Sequence, residues 1–114
     1  LGYHATGLMS TNQELTDKIK VAADTTAEGV WELPMWPEYH EMVKSDIGDV
    51  KNLAGRPAGS ITAATFLAAI AGDYPFAHFD IAATGWLNPP IKAYHQKGAT
   101  GVLVRMGVEL LKNF

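Results

Sequence analysis

Apolar residues recur at helical spacing early in the chain, with polar residues between them. The apolar positions are Leu15, Ile19, Ala22 and Ala23. Residues three and four positions apart are neighbours on a helical surface, so these positions define one apolar face. Thr11 and Glu14 precede them at the spacing of a capping box, in which each side chain bonds a free amide of the first turn. The pattern predicts a helix that begins after Thr11 and ends before Gly29.

Prolines divide the next part of the chain into extended and helical segments. Pro34 biases Leu33 towards extended geometry, so residues 30–34 are predicted to be extended. Residues 1–10 are interpreted as the end of a strand that runs into a loop at Gly7. Pro37 suits the first turn of a short helix. The side chains that this helix is predicted to direct inward are Tyr39, Met42 and Val43.

A third helix and a strand are predicted beyond a loop at residues 46–59, which are rich in turn formers. Ser60 is interpreted as the cap of a helix from Ile61 to Ala71. This segment is apolar almost all round, which is typical of a helix in an interior. Residues 75–82 alternate as in a strand. Its two predicted faces are Ala77, Phe79 and Ile81 on one side and His78 and Asp80 on the other.

The end of the chain is predicted to be a long exposed loop at residues 84–97, followed by a last helix. The predicted apolar face of that helix is Leu103, Met106, Gly107, Leu110 and Leu111. Arg105 and Glu109, four positions apart, are expected to pair weakly across solvent. At most two strands are predicted in all, whereas a stable sheet needs about three. We therefore expect the chain to be one piece of a larger α/β domain.

Composition narrows the class of protein. The length of 114 residues and the apolar fraction of 47% suit one small globular domain. The net charge of −3 includes no block of basic residues, so we expect no nucleic-acid partner. The chain has no cysteine, which is compatible with a cytoplasmic location. The longest apolar run, near residues 61–71, is too short to span a bilayer, so we expect no membrane partner. The absence of an initiating Met leads us to expect a longer parent polypeptide.

His78 and Asp80 are the first candidates for chemistry. Two positions apart on one face of a strand, they suit a metal pair, or a base with the carboxylate that orients it. The alternative is a half-buried pair that bonds nearby backbone, because buried polar groups need partners whatever their function. We favour the alternative, since the sequence offers no third ligand nearby.

Two further motifs also have simpler interpretations. Glu28 beside Gly29 suggests a metal loop, but a solvated helix end is favoured because Glu is mostly exposed in proteins. Residues 55–60 precede a helix as an anion-binding loop would, yet they have no Walker or dinucleotide spacing. Close packing of Ala58 and Gly59 is the favoured interpretation. Local chemistry alone therefore predicts neither a catalytic residue nor a metal ligand in this chain.

Six segments, in order and over nearly the whole chain, resemble the C-terminal part of the leucyl aminopeptidase family. The segments are Thr6–Ser10, Gly29–Trp36, Lys44–Asn52, Gly55–Ala64, Ala77–Ala82 and Lys97–Gly101. The resemblance implies that residues 1–114 are the C-terminal portion of an α/β catalytic domain. In that domain a mostly parallel central sheet, into which residues 76–82 would insert, is flanked by helices.

The resemblance also implies what the complete enzyme needs. Members of the family use two divalent metal ions, zinc or manganese, whose ligands lie in a segment that precedes this chain. The ions activate a water and polarise the peptide carbonyl. Of this chain, Ala82 and Gly85 would line the pocket for the side chain of the substrate's N-terminal residue. Ala83 stands where the family usually has Gly, so its methyl group is expected to narrow that pocket.

Three hypotheses follow for the function. The favoured one is a part of a metal-dependent aminopeptidase that releases N-terminal amino acids from peptides and is inactive as this isolated segment. Its partners would be a peptide, the upstream part of the domain and copies of itself in a hexamer. The alternative is a non-catalytic structural or assembly protein derived from the same family. An unrelated, self-sufficient small domain is the third, and the low strand count disfavours it.

Overall fold

The computed structural model describes residues 1–44 and 55–114, which form helices and short strands. The predicted loop at residues 46–59 therefore lies largely outside the described residues. The elements in chain order are β1 (Thr6–Ser10), α1 (Gln13–Thr26), β2 (Val30–Glu32), α2 (Pro37–Met42), α3 (Gly59–Ala71), β3 (Ala77–Asp80), β4 (Trp86–Leu87), β5 (Gly98–Ala99) and α4 (Val104–Lys112). Within these ranges no helix has both the length and the apolar content that crossing a membrane requires.

Strand β1 lies at the centre of a three-stranded sheet in the order β2-β1-β3. It pairs in parallel with β2, where Thr6 lies opposite Val30. It pairs antiparallel with β3, where Leu8 lies opposite Phe79. The prediction of at most two strands is therefore wrong. Residues 30–34 were predicted to be extended, but β2 has only three residues, and its alternation is too short to predict a strand. The fold is α/β, and the described part of its sheet is mixed.

One face of the sheet carries α1 and α4. The buried residues of this core are Leu8, Ile19, Ala22, Ala23 and Met106. The predicted apolar face of α1 is confirmed, since Leu15 also packs against the cluster. On α4 the prediction holds for Leu103, Met106 and Leu110. It is wrong for Leu111, which is 74% exposed, because the stripe of α4 follows the three- and four-residue spacing of those three positions.

The opposite face of β1 packs on α3. Met9, which alternates with Leu8 along the strand, is buried there with Ile61 and Ala64. Tyr39 of the short helix α2 packs against the same cluster, as predicted. Ile70 of α3 is 67% exposed, so the prediction of a helix buried all round holds for one of its faces only.

Two helix starts differ from their predictions by one or two residues. Asn12, not Thr11, caps α1, and its side-chain oxygen accepts from the Leu15 amide at 2.8 Å. The Thr11 amide is bonded instead to the Phe76 carbonyl at 3.0 Å. Helix α3 begins at Gly59, so Ser60 lies within its first turn and does not cap it. Asn is as good a cap as Thr, which explains why the sequence alone misplaced the start of α1.

The segment predicted as a long exposed loop contains a small antiparallel pair. Trp86 lies opposite Ala99, and Leu87 lies opposite Gly98. Leu87 is only 2% exposed, so the loop is anchored near its start. Two-residue strands have no measurable alternation, and the sequence therefore gave no indication of them.

Glu28 is buried, which contradicts its interpretation as a solvated helix end. The residue is 8% exposed, and its carboxylate accepts hydrogen bonds from the amides of Leu103 at 3.2 Å and Met106 at 2.9 Å. Arg105 lies 3.7 Å from the same carboxylate, so it does not form the predicted pair with Glu109. The first amides of a helix lack partners within the helix and attract negative charge. Glu28 therefore caps α4 from a distant part of the chain.

We expect Glu28→Gln to lower the free energy of unfolding by about 2 kcal/mol, because a neutral amide replaces a buried carboxylate that accepts two backbone hydrogen bonds. Urea unfolding of the 114-residue chain at pH 7 measures the change. Glu41→Gln is the control, since Glu41 pairs with Lys44 at 2.8 Å on the surface, and its loss should stay below about 0.5 kcal/mol. Equal losses in the two variants would contradict the capping role.

Candidate functional site

A cavity of about 220 Å³ lies where the start of β1 meets the end of β3. Its walls include Ala5, Gly7, Ser60, Asp80, Ala82 and Ala83. Strand register explains the meeting, because Gly7 lies opposite Asp80 in the β1–β3 pair. The cavity therefore has one wall from β1 and another from the turn that follows β3.

Two hydrogen bonds hold the side chain of Asp80 at the start of the turn that follows β3. One carboxylate oxygen accepts from the hydroxyl of Ser60 on α3, and the other accepts from the Ala82 amide at 3.0 Å. The Ser60 hydrogen bond is the largest cause of a lowered pKa for Asp80, followed by the Ala82 amide and then by the charge of His78. The backbone bond confirms the favoured interpretation of Asp80. Its bond to Ser60 was missed, because Ser60 was expected to cap a helix.

The turn after β3 carries both residues that the sequence places at a substrate pocket. Ala82 lines the cavity, together with Ala83. Gly85 is not among the described residues that line the cavity. A Cβ added at Gly85 would come within 3.0 Å of the Ile81 carbonyl oxygen, closer than real Cβ atoms usually approach. Glycine at this position therefore permits a tight turn, and its role in lining a pocket stays a prediction.

The turn is also bonded to two other parts of the fold. The hydroxyl groups of Thr84 and Thr6 lie 2.8 Å apart in a buried hydrogen bond. The hydroxyl of Thr100 donates to the Thr84 carbonyl at 2.6 Å, and the Thr100 amide donates to the Gly85 carbonyl at 3.1 Å. No structural role was predicted for these threonines, because each bond joins residues at least 15 positions apart.

A metal centre needs several His, Cys, Asp or Glu side chains that converge on one point. Among residues 1–44 and 55–114, no group of three or more His, Cys, Asp or Glu side chains is arranged to hold a metal ion. Both carboxylate oxygens of Asp80 already accept hydrogen bonds. The described residues therefore do not suit a metal centre by themselves.

The glycine-rich segment before α3 lies beside the second core. Ala58 has a left-handed conformation (φ 52°) and packs against the cluster around Met9. An added Cβ at Gly59 would meet no atom of the described residues within 4 Å. Close packing is therefore confirmed for Ala58 and wrong for Gly59.

Comparison with known protein families gives one match over most of the chain. The profile of the cytosol aminopeptidase family, catalytic domain, matches residues 1–108. The probable cytosol aminopeptidase of Roseiflexus castenholzii (strain DSM 13941 / HLO8) is 50% identical over 114 residues, which is all of this chain and 23% of the relative. That of Geobacter sp. (strain M21) is 45% identical over 98% of this chain and 23% of the relative. The chain thus spans about a quarter of the length of these relatives.

Solved structures show the same arrangement of elements. The bottromycin maturation enzyme BotP superimposes with a TM-score of 0.91 at 29% identity, over 99% of this chain and 25% of that one. BotP in complex with Mn gives a TM-score of 0.89 at 28% identity, over 97% of this chain and 25% of that one. The described elements therefore match one quarter of a larger enzyme structure.

Asp80→Asn is expected to lower the free energy of unfolding by about 1–2 kcal/mol at pH 7, because a neutral amide is a weaker acceptor for Ser60 and Ala82. The pKa of Asp80 is lowered in the folded chain, so the carboxylate stabilises the fold above its unfolded pKa, near 3.8. That contribution is lost as the pH falls through the folded pKa. Urea unfolding at several pH values from 7 to 2 should show the two chains converging in acid.

The exposed Asp73 provides the control for this measurement. Asp73→Asn should leave the dependence of stability on pH close to that of the unsubstituted chain. A constant difference between Asp80→Asn and the unsubstituted chain from pH 7 to pH 2 would contradict the ionised role of Asp80.

Proposed function

This chain belongs to the cytosol aminopeptidase family, and from this membership we propose that it is the C-terminal segment of a metal-dependent aminopeptidase domain. The complete enzyme would release N-terminal amino acids from peptides. The observation that carries the proposal is the family match over residues 1–108, together with 50% identity to a relative over the whole chain. Because the chain spans 23% of that relative, the activity is proposed for the complete enzyme and not for this chain alone.

The contribution proposed for this chain is a wall of the pocket for the substrate's N-terminal side chain. Ala82 and Ala83 present methyl groups to a cavity of about 220 Å³, and pockets for small ligands are mostly apolar. Gly85, at the end of the same turn, is proposed to line the continuation of the pocket in the complete domain. Ala83 stands in place of the family's usual Gly, so its methyl group would narrow the pocket.

The remaining features of the complete enzyme are proposed from the family. Two divalent metal ions, zinc or manganese, would be held by residues outside this chain, as the family resemblance implies. The described residues contain no group of three or more His, Cys, Asp or Glu arranged to hold a metal ion. The related enzyme BotP has been solved in complex with Mn. The mixed sheet of this chain would join a mostly parallel central sheet. A cytoplasmic location and a homo-hexameric assembly complete the proposal.

The alternative is a non-catalytic structural or assembly protein derived from the same family. Exposed apolar side chains favour it, since they are available to partners. Those on and after α3 are Leu67, Ile70 and Tyr74, which are 39%, 67% and 80% exposed. Under this alternative the chain would still fold and associate, but restoring the rest of the domain would produce no hydrolysis.

A grafted enzyme separates the two proposals. In it, this chain replaces the 114 aligned residues of the Roseiflexus castenholzii relative. We expect the grafted enzyme to hydrolyse a leucyl reporter amide when supplied with Mn²⁺ or Zn²⁺ and to lose this activity in a chelator, whereas the 114-residue chain alone shows none. The unmodified relative is the control, and circular dichroism establishes that the graft is folded. A folded, inactive graft would favour the assembly role, and chelator-resistant activity of the chain alone would contradict the proposal.

Ala83→Gly tests the proposed pocket wall within the grafted enzyme. Removing the methyl group should raise kcat/KM for a leucyl reporter relative to an alanyl reporter by roughly threefold to tenfold, because one methylene in an apolar pocket gives discrimination of at least that order. The matched control is Ala93→Gly, in an exposed part of the chain, which should leave the ratio unchanged. An unchanged ratio in Ala83→Gly would contradict its place in the wall.

A further inference from the structure

A hydrogen bond between two buried hydroxyl groups joins two walls of the cavity on the side that faces away from it. Thr6 lies between the wall residues Ala5 and Gly7, and Thr84 follows the wall residue Ala83. Thr6 and Thr84 are 1% and 8% exposed, and their hydroxyl oxygens lie 2.8 Å apart. Successive side chains of a strand point to opposite faces, so Thr6 faces away from its two neighbours and from the cavity. The hydroxyl bond is therefore placed to set the separation of the walls without touching a ligand.

Thr6 is a fixed attachment point because β1 is the central strand of the sheet. Its amide donates to the Gly29 carbonyl at 3.0 Å, and the residue lies opposite Val30 of β2. On its other edge, the next residue, Gly7, pairs with Asp80 of β3. A side chain at this position is consequently held by backbone bonds on both sides.

Thr84 belongs to a segment with few other attachments. The amides of Thr84 and Gly85 both donate to the Ile81 carbonyl, at 3.1 and 2.8 Å, which closes the turn on itself. Within the described residues, the turn also bonds the Asp80 side chain. Its other hydrogen bonds go to Thr6 and Thr100. Thr100 directly follows β5 and lies four residues before the start of α4, so it belongs to a part of the chain well separated in sequence from the turn.

We propose that Thr6, Thr84 and Thr100 are positioning residues for side-chain selectivity. Their hydroxyl groups hold the turn that carries Ala82 and Ala83 at a set distance from β1. The inference rests on the proposed function, in which this cavity takes the apolar side chain of a peptide's N-terminal residue. Thr6 and Thr84 form a clip that fixes the pocket width, and Thr100 fixes the turn from the opposite side.

The test removes the clip while keeping the volume of both side chains. Thr6→Val/Thr84→Val replaces both hydroxyl groups with methyl groups, which avoids leaving one buried hydroxyl without a partner. In the grafted enzyme we expect the ratio of kcat/KM for leucyl and alanyl reporters to change at least about threefold. This ratio is independent of the fraction of enzyme that is folded. The single variant Thr84→Ser keeps both hydroxyl groups and should leave the original ratio unchanged.

Thr65→Val is the matched control for a buried hydroxyl group that does not line the cavity. The Thr65 hydroxyl donates to the Ile61 carbonyl within α3 at 2.8 Å and is also fully buried. Its removal should leave the leucyl-to-alanyl ratio unchanged. An unchanged ratio in the folded double variant, or an equal change in Thr65→Val, would overturn the positioning role.

A second measurement on the 114-residue chain does not depend on activity. Amide hydrogen exchange followed by NMR should be at least about tenfold faster at Gly85 in the double variant, because local opening of the turn governs exchange there. The amide of Ile19, in the core of α1, should be unaffected. Unchanged exchange at Gly85 would overturn the clip. If the unsubstituted graft is inactive, the proposed function fails, whereas the exchange measurement still decides whether the threonines hold the turn.

Discussion

The buried carboxylate of Glu28 is the interaction on which the arrangement of this chain depends. Helix α4 begins after Leu103, whose backbone is left-handed (φ 71°) and whose side chain makes no cap. Its first amides would be costly to bury without partners. Glu28 provides both acceptor oxygens from 75 positions away. It is directed there because α1 ends at a left-handed Ala27, which turns the chain sharply. The cap thus fixes α4 against α1 and closes the core around Met106.

The position of α4, which Glu28 caps, also affects the cavity through Thr100. Placing α4 also places Thr100, four residues before the start of the helix. Thr100 bonds the carbonyls of Thr84 and Gly85. The turn that carries Ala82 is therefore held by the sheet on one side and by the capped helix on the other. The bonds that tie this turn to Thr6 and Thr100 therefore join residues at least 15 positions apart, in addition to the local bonds within the turn.

The sequence predicted most of what neighbouring residues determine, with errors of one or two residues at helix starts, and missed the contacts between distant residues. The apolar face of α1 follows from the spacing of Leu15 and Ile19, which needs no partner to be recognised. Ser60 was expected to cap α3, and instead it bonds Asp80, 20 positions away. Glu28 was expected in solvent, because no local pattern indicates that its carboxylate bonds the first turn of a helix 75 positions away. The family resemblance, by contrast, was confirmed, since it rested on the order of six segments and not on contacts.

The hydrogen bonds of Asp80 suit a structural role better than a role in proton transfer. A general base is most effective when its pKa lies near the working pH. The pKa of Asp80 is shifted in the opposite direction, below its ordinary value, by the Ser60 hydroxyl and the Ala82 amide. Both oxygens are engaged by groups that line the same cavity. Asp80 is therefore an ionised group that joins α3 to the turn after β3, and its lowered pKa does not suit it to act as a general base.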